Sequence, residues 1–214
     1  MPEPRFIYPM MLRLAGRRAL VVGGGQVALR KATSLADAGA TVRAVSPEFV
    51  AEFRDDARLE CREESYGPGH MAGVFVVIAA TDDGAVNARV AADARAAGVL
   101  VNVVDRPELC DFIVPAVMER GRLVIAISTS GAAPSFARRL RDRLKREIGP
   151  DYRMYLDVMD DVRTEIMRSG LAPDRRRRLF ERLTEDDVVA VAGQGEEALR
   201  RAVAALVEAA MRQA

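Results

Sequence analysis

Gly23-x-Gly25-x-x-Ala28 stands directly after the apolar run Leu20-Val21-Val22. Gly23 permits a tight turn, Gly25 lets a ligand approach the backbone, and small Ala28 lets a helix pack close to a strand. The amides of Gln26 and Val27 then point outward from a helix N-terminus, where an anion is favoured. With a strand before it, a helix after it and a second strand near position 41, the motif predicts a pyrophosphate cradle for a dinucleotide. The alternative is a glycine-rich turn that binds nothing.

Polar groups recur at the ends of later apolar runs. Thr81-Asp82-Asp83 follows one run, Asn102 lies near the end of the next, and Asp105 stands just beyond it. Ligands of open parallel sheets sit outside the carboxyl ends of the strands. Thr81 and Asn102 are therefore candidate cofactor contacts, and Asp105 is a carboxylate placed to take a proton from a substrate beside a nicotinamide. The structural alternatives are helix capping by Asp82 or Asp83 and a turn role for Asp105 before Arg106-Pro107. The second strand runs into Val45-Ser46-Pro47-Glu48, without the acid that NAD sites usually place at its end for the ribose hydroxyls. Glu48 comes slightly late, and Ser46 is a weaker substitute. Arg43, which could suggest NADP, reads as a strand residue facing solvent. This site alone leaves NAD against NADP open.

A fourth group is Ser128-Thr129-Ser130-Gly131, ahead of a helix that carries Arg138, Arg139, Arg141 and Arg143. Hydroxyls and a glycine before a helix start make an anion site. Helix capping by Ser130 or Ser135 and a solvated basic face are the plainer readings. Arg175–Arg178 are consecutive, so they point all round a helix and cannot serve one groove together.

The elements needed to position these groups can be read from periodicity. Strands are expected at Arg18–Val22, Thr41–Val45, Arg58–Glu64, Val74–Ala79 and Leu100–Val104, alternating with helices at Gln26–Asp37 and Ala85–Ala97. That alternation predicts an α/β fold with a doubly wound, Rossmann-type parallel sheet. The pattern then changes. Strands at Phe112–Val117 and Arg122–Ile127 flank the turn Glu119-Arg120-Gly121-Arg122, and a basic helix covers Pro134–Glu147. Nearly everything from Asp151 onward reads as helical, with breaks at 168–173 and 192–195; Thr184 is a plausible cap. The expected parts are a dinucleotide-binding domain (1–111), a small α+β region (112–150) and a helical region (151–214).

The 214 residues are 50% hydrophobic and 29% charged, with 32 basic and 31 acidic side chains, a net charge of +1. That balance gives no general attraction to nucleic acid or to an anionic membrane, and neither is expected as a partner. No apolar run reaches the roughly 20 residues of a membrane span, and no leader-like start is present, so a cytoplasmic protein is expected. Cys61 and Cys110 are far apart and read as free thiols of a reducing compartment. His70 is the one histidine, so no protein metal cage is expected.

Taken in order, "VVGGGQVALRKA", "VIAATDD", "VNVVD", "FIVPA" and "STSGAAP" followed by "ARRLRDRL" resemble the precorrin-2 dehydrogenase family: siroheme synthase N-terminal regions and their stand-alone relatives. The likeness runs over residues 5–150. It implies NAD-dependent oxidation of precorrin-2 to sirohydrochlorin in siroheme or cobalamin synthesis. Some members also insert iron or accept cobalt, and the residues leave Fe2+ or Co2+ open as a further substrate. It implies a homodimer built on the central region, a catalytic aspartate at Asp105, and dinucleotide contacts at Gln26, Val27, Pro47 and Glu48. An added methyltransferase domain, present in some relatives, is not expected at this length. Gln26 replaces a common Asp, with little consequence if only its backbone binds. Thr129 replaces a serine, which weakens any regulatory role for that hydroxyl. Precorrin-2 carries many carboxylates, so arginines beyond the sheet domain suit it. The reading from a different class is a regulatory nucleotide-binding module, which needs neither Asp105 nor the anion site at 128–134.

Overall fold

The computed structural model describes residues 7–212. Two compact units follow each other along the chain, divided between Val114 and Pro115.

The first unit holds β1 (Arg18–Val22), α1 (Gln26–Asp37), β2 (Thr41–Ser46), β3 (Leu59–Glu63), β4 (Val76–Ala79), α2 (Gly84–Ala97) and β5 (Leu100–Val103). The strands form a sheet in the order β3-β2-β1-β4-β5, and every pairing is parallel. The near-continuous apolar strands follow from cover on both faces. On one face Ala28 and Ala32 of α1 pack with Val21, Val42, Ala44 and Val76. On the other, Val90, Ala91 and Ala94 of α2 pack with Leu20, Val45, Val77 and Val101. Small residues on both helices let them sit close to the sheet. The predicted α/β, Rossmann-type architecture is the one observed.

Register sets the carboxyl edge. Val22 lies opposite Val45 and Ala79, and Ala79 lies opposite Val103. Gly23, Ala80 and Val104 therefore leave the sheet at one level, and Ser46, opposite Glu63, ends β2 beside them. The switch in strand order falls between β1 and β4, where the chain departs to opposite faces and a crevice opens.

Several expected boundaries are corrected. β4 begins at Val76 rather than Val74, because the Val74 amide is still held in the preceding turn, donating to the Met71 carbonyl (3.2 Å). Phe112 begins no strand. Asp111 and Phe112 instead fold back on β5: the Asp111 amide donates to the Val101 carbonyl (2.8 Å), and the Phe112 carbonyl accepts from Asn102 (2.9 Å). Short 3-10 segments at Ala51–Asp55, Pro68–Met71 and Pro107–Leu109 were not foreseen.

The second unit opens with an antiparallel hairpin, β6 (Ala116–Arg120) and β7 (Leu123–Ile127), with Arg120 opposite Leu123. Glu119 and Arg120 belong to the strand, so the turn is only Gly121-Arg122, with Gly121 at φ +58. A glycine leading a two-residue turn with positive φ suits the strand twist. The helices are α3 (Pro134–Glu147), α4 (Asp151–Arg168), α5 (Pro173–Leu183), α6 (Asp186–Val191) and α7 (Glu196–Arg212). Arg120 ties hairpin to helix by donating to the carbonyls of Lys145 (2.9 Å) and Ile148 (3.2 Å), which a helix end leaves without partners. Val158, Ile166, Leu183, Leu199 and Val203 form the core of α4–α7.

Buried within that core, the Tyr155 hydroxyl donates to the Leu183 carbonyl at 2.8 Å. Tyr155→Phe strands that carbonyl and should lower unfolding stability by about 1–2 kcal/mol. Urea denaturation should show a lower midpoint with an unchanged m-value.

Candidate functional site

The loop after β1 is shaped by close contacts on two of its three glycines. Gly23 has φ +131, and a Cβ there would lie 2.4 Å from the Ala80 carbonyl oxygen. At Gly24 a Cβ would lie 1.8 Å from the Glu48 carbonyl oxygen and 2.7 Å from Ser46 Oγ. The Gly24 carbonyl also accepts from the Val50 amide at 2.9 Å, and the Gly23 amide donates to Val45 at 2.9 Å. The loop is thus clamped to the ends of β2 and β4. Gly25 differs: nothing lies within 4 Å of its added Cβ, and its φ of −84° suits any residue. Open space before Gly25 and the absence of a side-chain cap on α1 leave first-turn amides facing outward. That is the cradle a diphosphate requires.

Gln26 and Val27 open α1 as expected, both exposed. The Gln26 side chain is engaged elsewhere, donating to Glu52 at 2.8 Å, which leaves its backbone for a ligand. Pro47 and Glu48 lie just past β2, exposed, with the Glu48 carbonyl against Gly24. Ser46 is buried beneath them. Arg43 is half-buried and ion-paired to Glu60 on β3 at 3.1 Å, more enclosed than a solvent-facing residue and already partnered.

Past β4, Thr81 organises the turn. Its hydroxyl donates to Asn87 Oδ1 (2.8 Å) or the Asp83 carbonyl (3.0 Å), while Asn87 Nδ2 donates to the Thr81 carbonyl (2.8 Å). Asp83 caps α2, accepting from the amides of Ala85 (2.8 Å) and Val86 (3.1 Å), as the capping alternative had it. Asn102 is buried in β5, its amide donating to the Phe112 carbonyl.

Asp105 follows β5, exposed, with φ +59. The Arg106 amide donates to the Val103 carbonyl at 3.2 Å, so Asp105 takes the third place of a four-residue turn. That place with positive φ favours Gly or Asn. A residue held in this region costs about 1–3 kcal/mol. Gly23–Val27, Pro47–Glu48, Thr81 and Asp105 thus share one edge of one sheet.

Sequence reasoning missed three contributors. Gly24 carries the tightest contact of the loop, and Asn87 anchors Thr81. Lys31, half-buried on α1, forms no hydrogen bond or ion pair among the described residues. Burial is the chief cause that pushes its ammonium below the ordinary lysine range. Arg30 acts in the same direction, and the charge of Asp105 opposes both. The i, i+3 spacing from buried Ala28 was the available signal.

The remaining predicted residues lie in the second unit, Ser128–Gly131 between β7 and α3 and Arg138 on α3 itself. Ser130 (φ +50) and Gly131 (φ +86) take left-handed conformations. The Ser130 amide donates to Ser128 Oγ (3.0 Å) and the Ala133 amide to Thr129 Oγ1 (3.0 Å). Neither Ser130 nor Ser135 caps α3; Ser135 instead accepts from exposed Arg138 at 3.0 Å. Arg141 and Arg143 pair with Asp142 (2.8 Å) and Glu147 (2.7 Å) on their own helix. Among the described residues no three of His, Cys, Asp or Glu gather as metal ligands, and no helix is long and apolar enough to cross a membrane.

A five-stranded parallel sheet with a glycine loop at its switch point defines a Rossmann-type dinucleotide-binding protein. A family model described as "Putative NAD(P)-binding" matches residues 10–116, half of the chain, and the chain belongs to that NAD(P)-binding family. A second model, "Sirohaem biosynthesis protein central", matches residues 120–147. A siroheme synthase of Azotobacter vinelandii is 44% identical over 176 residues, covering 80% of this chain and 38% of that protein. One of Methylococcus capsulatus is 41% identical over 209 residues, covering 96% of this chain and 44% of its own. The chain therefore spans about two fifths of the length of these curated relatives. Among solved structures, "SirC, precorrin-2 dehydrogenase" matches with a TM-score of 0.76 at 27% identity, over 94% of this chain and 100% of that one. The resemblance read from the motifs, to precorrin-2 dehydrogenases and siroheme synthase N-terminal regions, is borne out.

The loop and Lys31 give three expected outcomes. Gly24→Ala drives a Cβ into backbone and should destabilise the first unit by about 1–3 kcal/mol or more. Gly25→Ala should leave the Tm within a degree or two of the parent while weakening NAD+ affinity about tenfold or more, measured by calorimetry. For Lys31, a folded-state pKa below the unfolded one costs stability while the folded chain carries the charge. The cost is relieved as pH rises through the folded value. Lys31→Met should therefore show a Tm at pH 7 equal to or above the parent. The gap should close as the pH enters the ordinary lysine range.

Proposed function

We propose that this chain oxidises precorrin-2 to sirohydrochlorin with NAD+ as the acceptor, within siroheme or cobalamin synthesis. The observation that carries the reading is Asp105. A carboxylate occupies a strained, exposed turn at the same sheet edge as an open glycine cradle. The siroheme synthase relatives and the structural neighbour titled precorrin-2 dehydrogenase support it.

The chain's residues divide the work. First-turn amides at Gln26 and Val27 hold the diphosphate, and open Gly25 admits it. Pro47 and Glu48 border the adenosine side, where no unpaired arginine from β2 is offered to a 2′-phosphate; this favours NAD+ over NADP+. Thr81 and Asn102 fix the floor beyond β4 and β5. The bound dinucleotide supplies the hydride acceptor. Asp105 accepts or relays the proton released as the macrocycle is oxidised. Ser128, Thr129, Ser130, Gly131 and Arg138 offer hydroxyls, amides and a cation to the substrate's carboxylates.

The same resemblance supports a homodimer formed through the central region, where Val124 (41% exposed) and Phe136 (58%) present apolar surface. It also supports a cytoplasmic setting, in keeping with the two free thiols. Iron or cobalt insertion is a separate step in which the metal is a substrate and the macrocycle supplies the nitrogens.

Asp105→Asn is the decisive variant, because Asn tolerates a left-handed φ and only the charge is lost. Anaerobic assays of precorrin-2 with NAD+, followed at 340 nm alongside the macrocycle spectrum, should show NADH rising with sirohydrochlorin in the parent. Turnover should fall by about a hundredfold or more in Asp105→Asn, with NAD+ affinity unchanged. Parent protein that binds NAD+ and yields no NADH would favour the regulatory binding module. Adding Fe2+ or Co2+ to the sirohydrochlorin formed tests insertion independently.

A further inference from the structure

β5 is an edge strand, so the groups it directs away from β4 have no strand to pair with. Those of Val101 are met by Asp111, through its carboxylate (3.1 Å) and its amide (2.8 Å). Those of Val103 are met by a thiol. The Val103 amide donates to Cys110 Sγ at 3.1 Å, and Cys110 Sγ lies 3.2 Å from the Val103 carbonyl. The same sulfur lies 3.4 Å from the Arg106 carbonyl and accepts from Asn102 Nδ2 at 3.5 Å. Val103 and Arg106 are the two ends of the turn that holds Asp105 at φ +59. One S–H supplies one donor, shared between two carbonyls, while the sulfur accepts from two N–H groups.

We infer that Cys110 is a positioning residue for Asp105: its thiol spans the ends of a strained turn and keeps the carboxylate at the sheet edge. The inference rests on the catalytic reading of Asp105. Strain in such a turn persists only where the surroundings over-determine it, and here the bonds from Cys110 do so. The thiol itself takes no part in chemistry. A small displacement of a reacting group is enough to slow a reaction greatly.

The test uses the whole chain, with Cys110→Ala, Cys110→Val and Cys110→Ser. Valine refills the space with no hydrogen-bonding atom and suits the extended backbone of Cys110 (φ −98, ψ 137), so it serves if the cavity left by alanine compromises folding. Alanine and valine should lower kcat for precorrin-2 oxidation about tenfold to a hundredfold. KM and Kd for NAD+ should stay within about twofold, since the cradle lies on other elements. Amide exchange should quicken at residues 103–110 alone, the Val103 amide among them. Serine, which donates and accepts as the thiol does, should restore most of kcat. The inference is overturned if alanine and valine keep the parental kcat, if NAD+ affinity falls in step with kcat, or if serine performs no better than alanine. A parent without turnover overturns the catalytic reading itself, and the exchange pattern at 103–110 still reports whether the thiol holds the turn.

Discussion

How tightly the chain can turn after Val22 governs the rest of the first unit. Gly24 lies so close to the Glu48 carbonyl that no side chain fits between them, and Gly23 lies likewise against Ala80. These contacts bind the ends of β1, β2 and β4 into one layer. They aim α1 so that its first amides meet open space. Without them the strands could pair in the same register and still leave no cradle. Ala28 and Ala32 complete the constraint, because only small side chains let α1 descend onto the sheet at the angle the loop sets.

Much of this was legible in the sequence, because parallel strands covered on both faces leave continuous apolar runs and their helices leave small residues at regular spacing. The glycine spacing and the carboxyl-edge positions of Thr81 and Asp105 followed from the same pattern. Local signals failed where tertiary bonds overrule them. Phe112 looks like a strand start, yet Asn102 and Asp111 draw that segment back to β5. Thr184 looks like the cap of the following helix, yet its hydroxyl donates to Glu181 and closes the preceding one, with Glu185 at the cap position. Cys110 looked like an idle thiol, since nothing in its neighbours reveals that an edge strand needs a partner for Val103. Gly24 was hidden between two glycines that already explained the motif.

The arginines of the second unit show why charge must be counted with its partners. Arg120 closes the end of α3, and Arg122 joins the hairpin to Asp160 of α4 at 2.6 Å. Arg141 and Arg143 are neutralised on their own helix, as are Arg200 and Arg201 through Glu196 and Glu197. Such exposed pairs add little stability, but they lower the positive field that a nucleic acid would meet. Arg138 is left near the helix start with only a hydroxyl for company. A cation in that state can still meet a small carboxylate.

The residue at position 105 separates an enzyme from a module that only binds. A turn with positive φ in its third place is filled most comfortably by Gly, and next by Asn. A nucleotide-binding module gains nothing from a carboxylate there and would be more stable with glycine. Asp retains the strain and adds a negative charge at the edge where a dinucleotide diphosphate is already to be held. Repulsion of the ligand and strain in the turn act against binding and against folding together. Local rules broken without structural benefit mark functional sites. The bonds that Val103 and Arg106 make to Cys110 hold the turn that bears this residue. A carboxylate kept in place at such cost fits proton transfer at the sheet edge, and a purely regulatory domain leaves it unexplained.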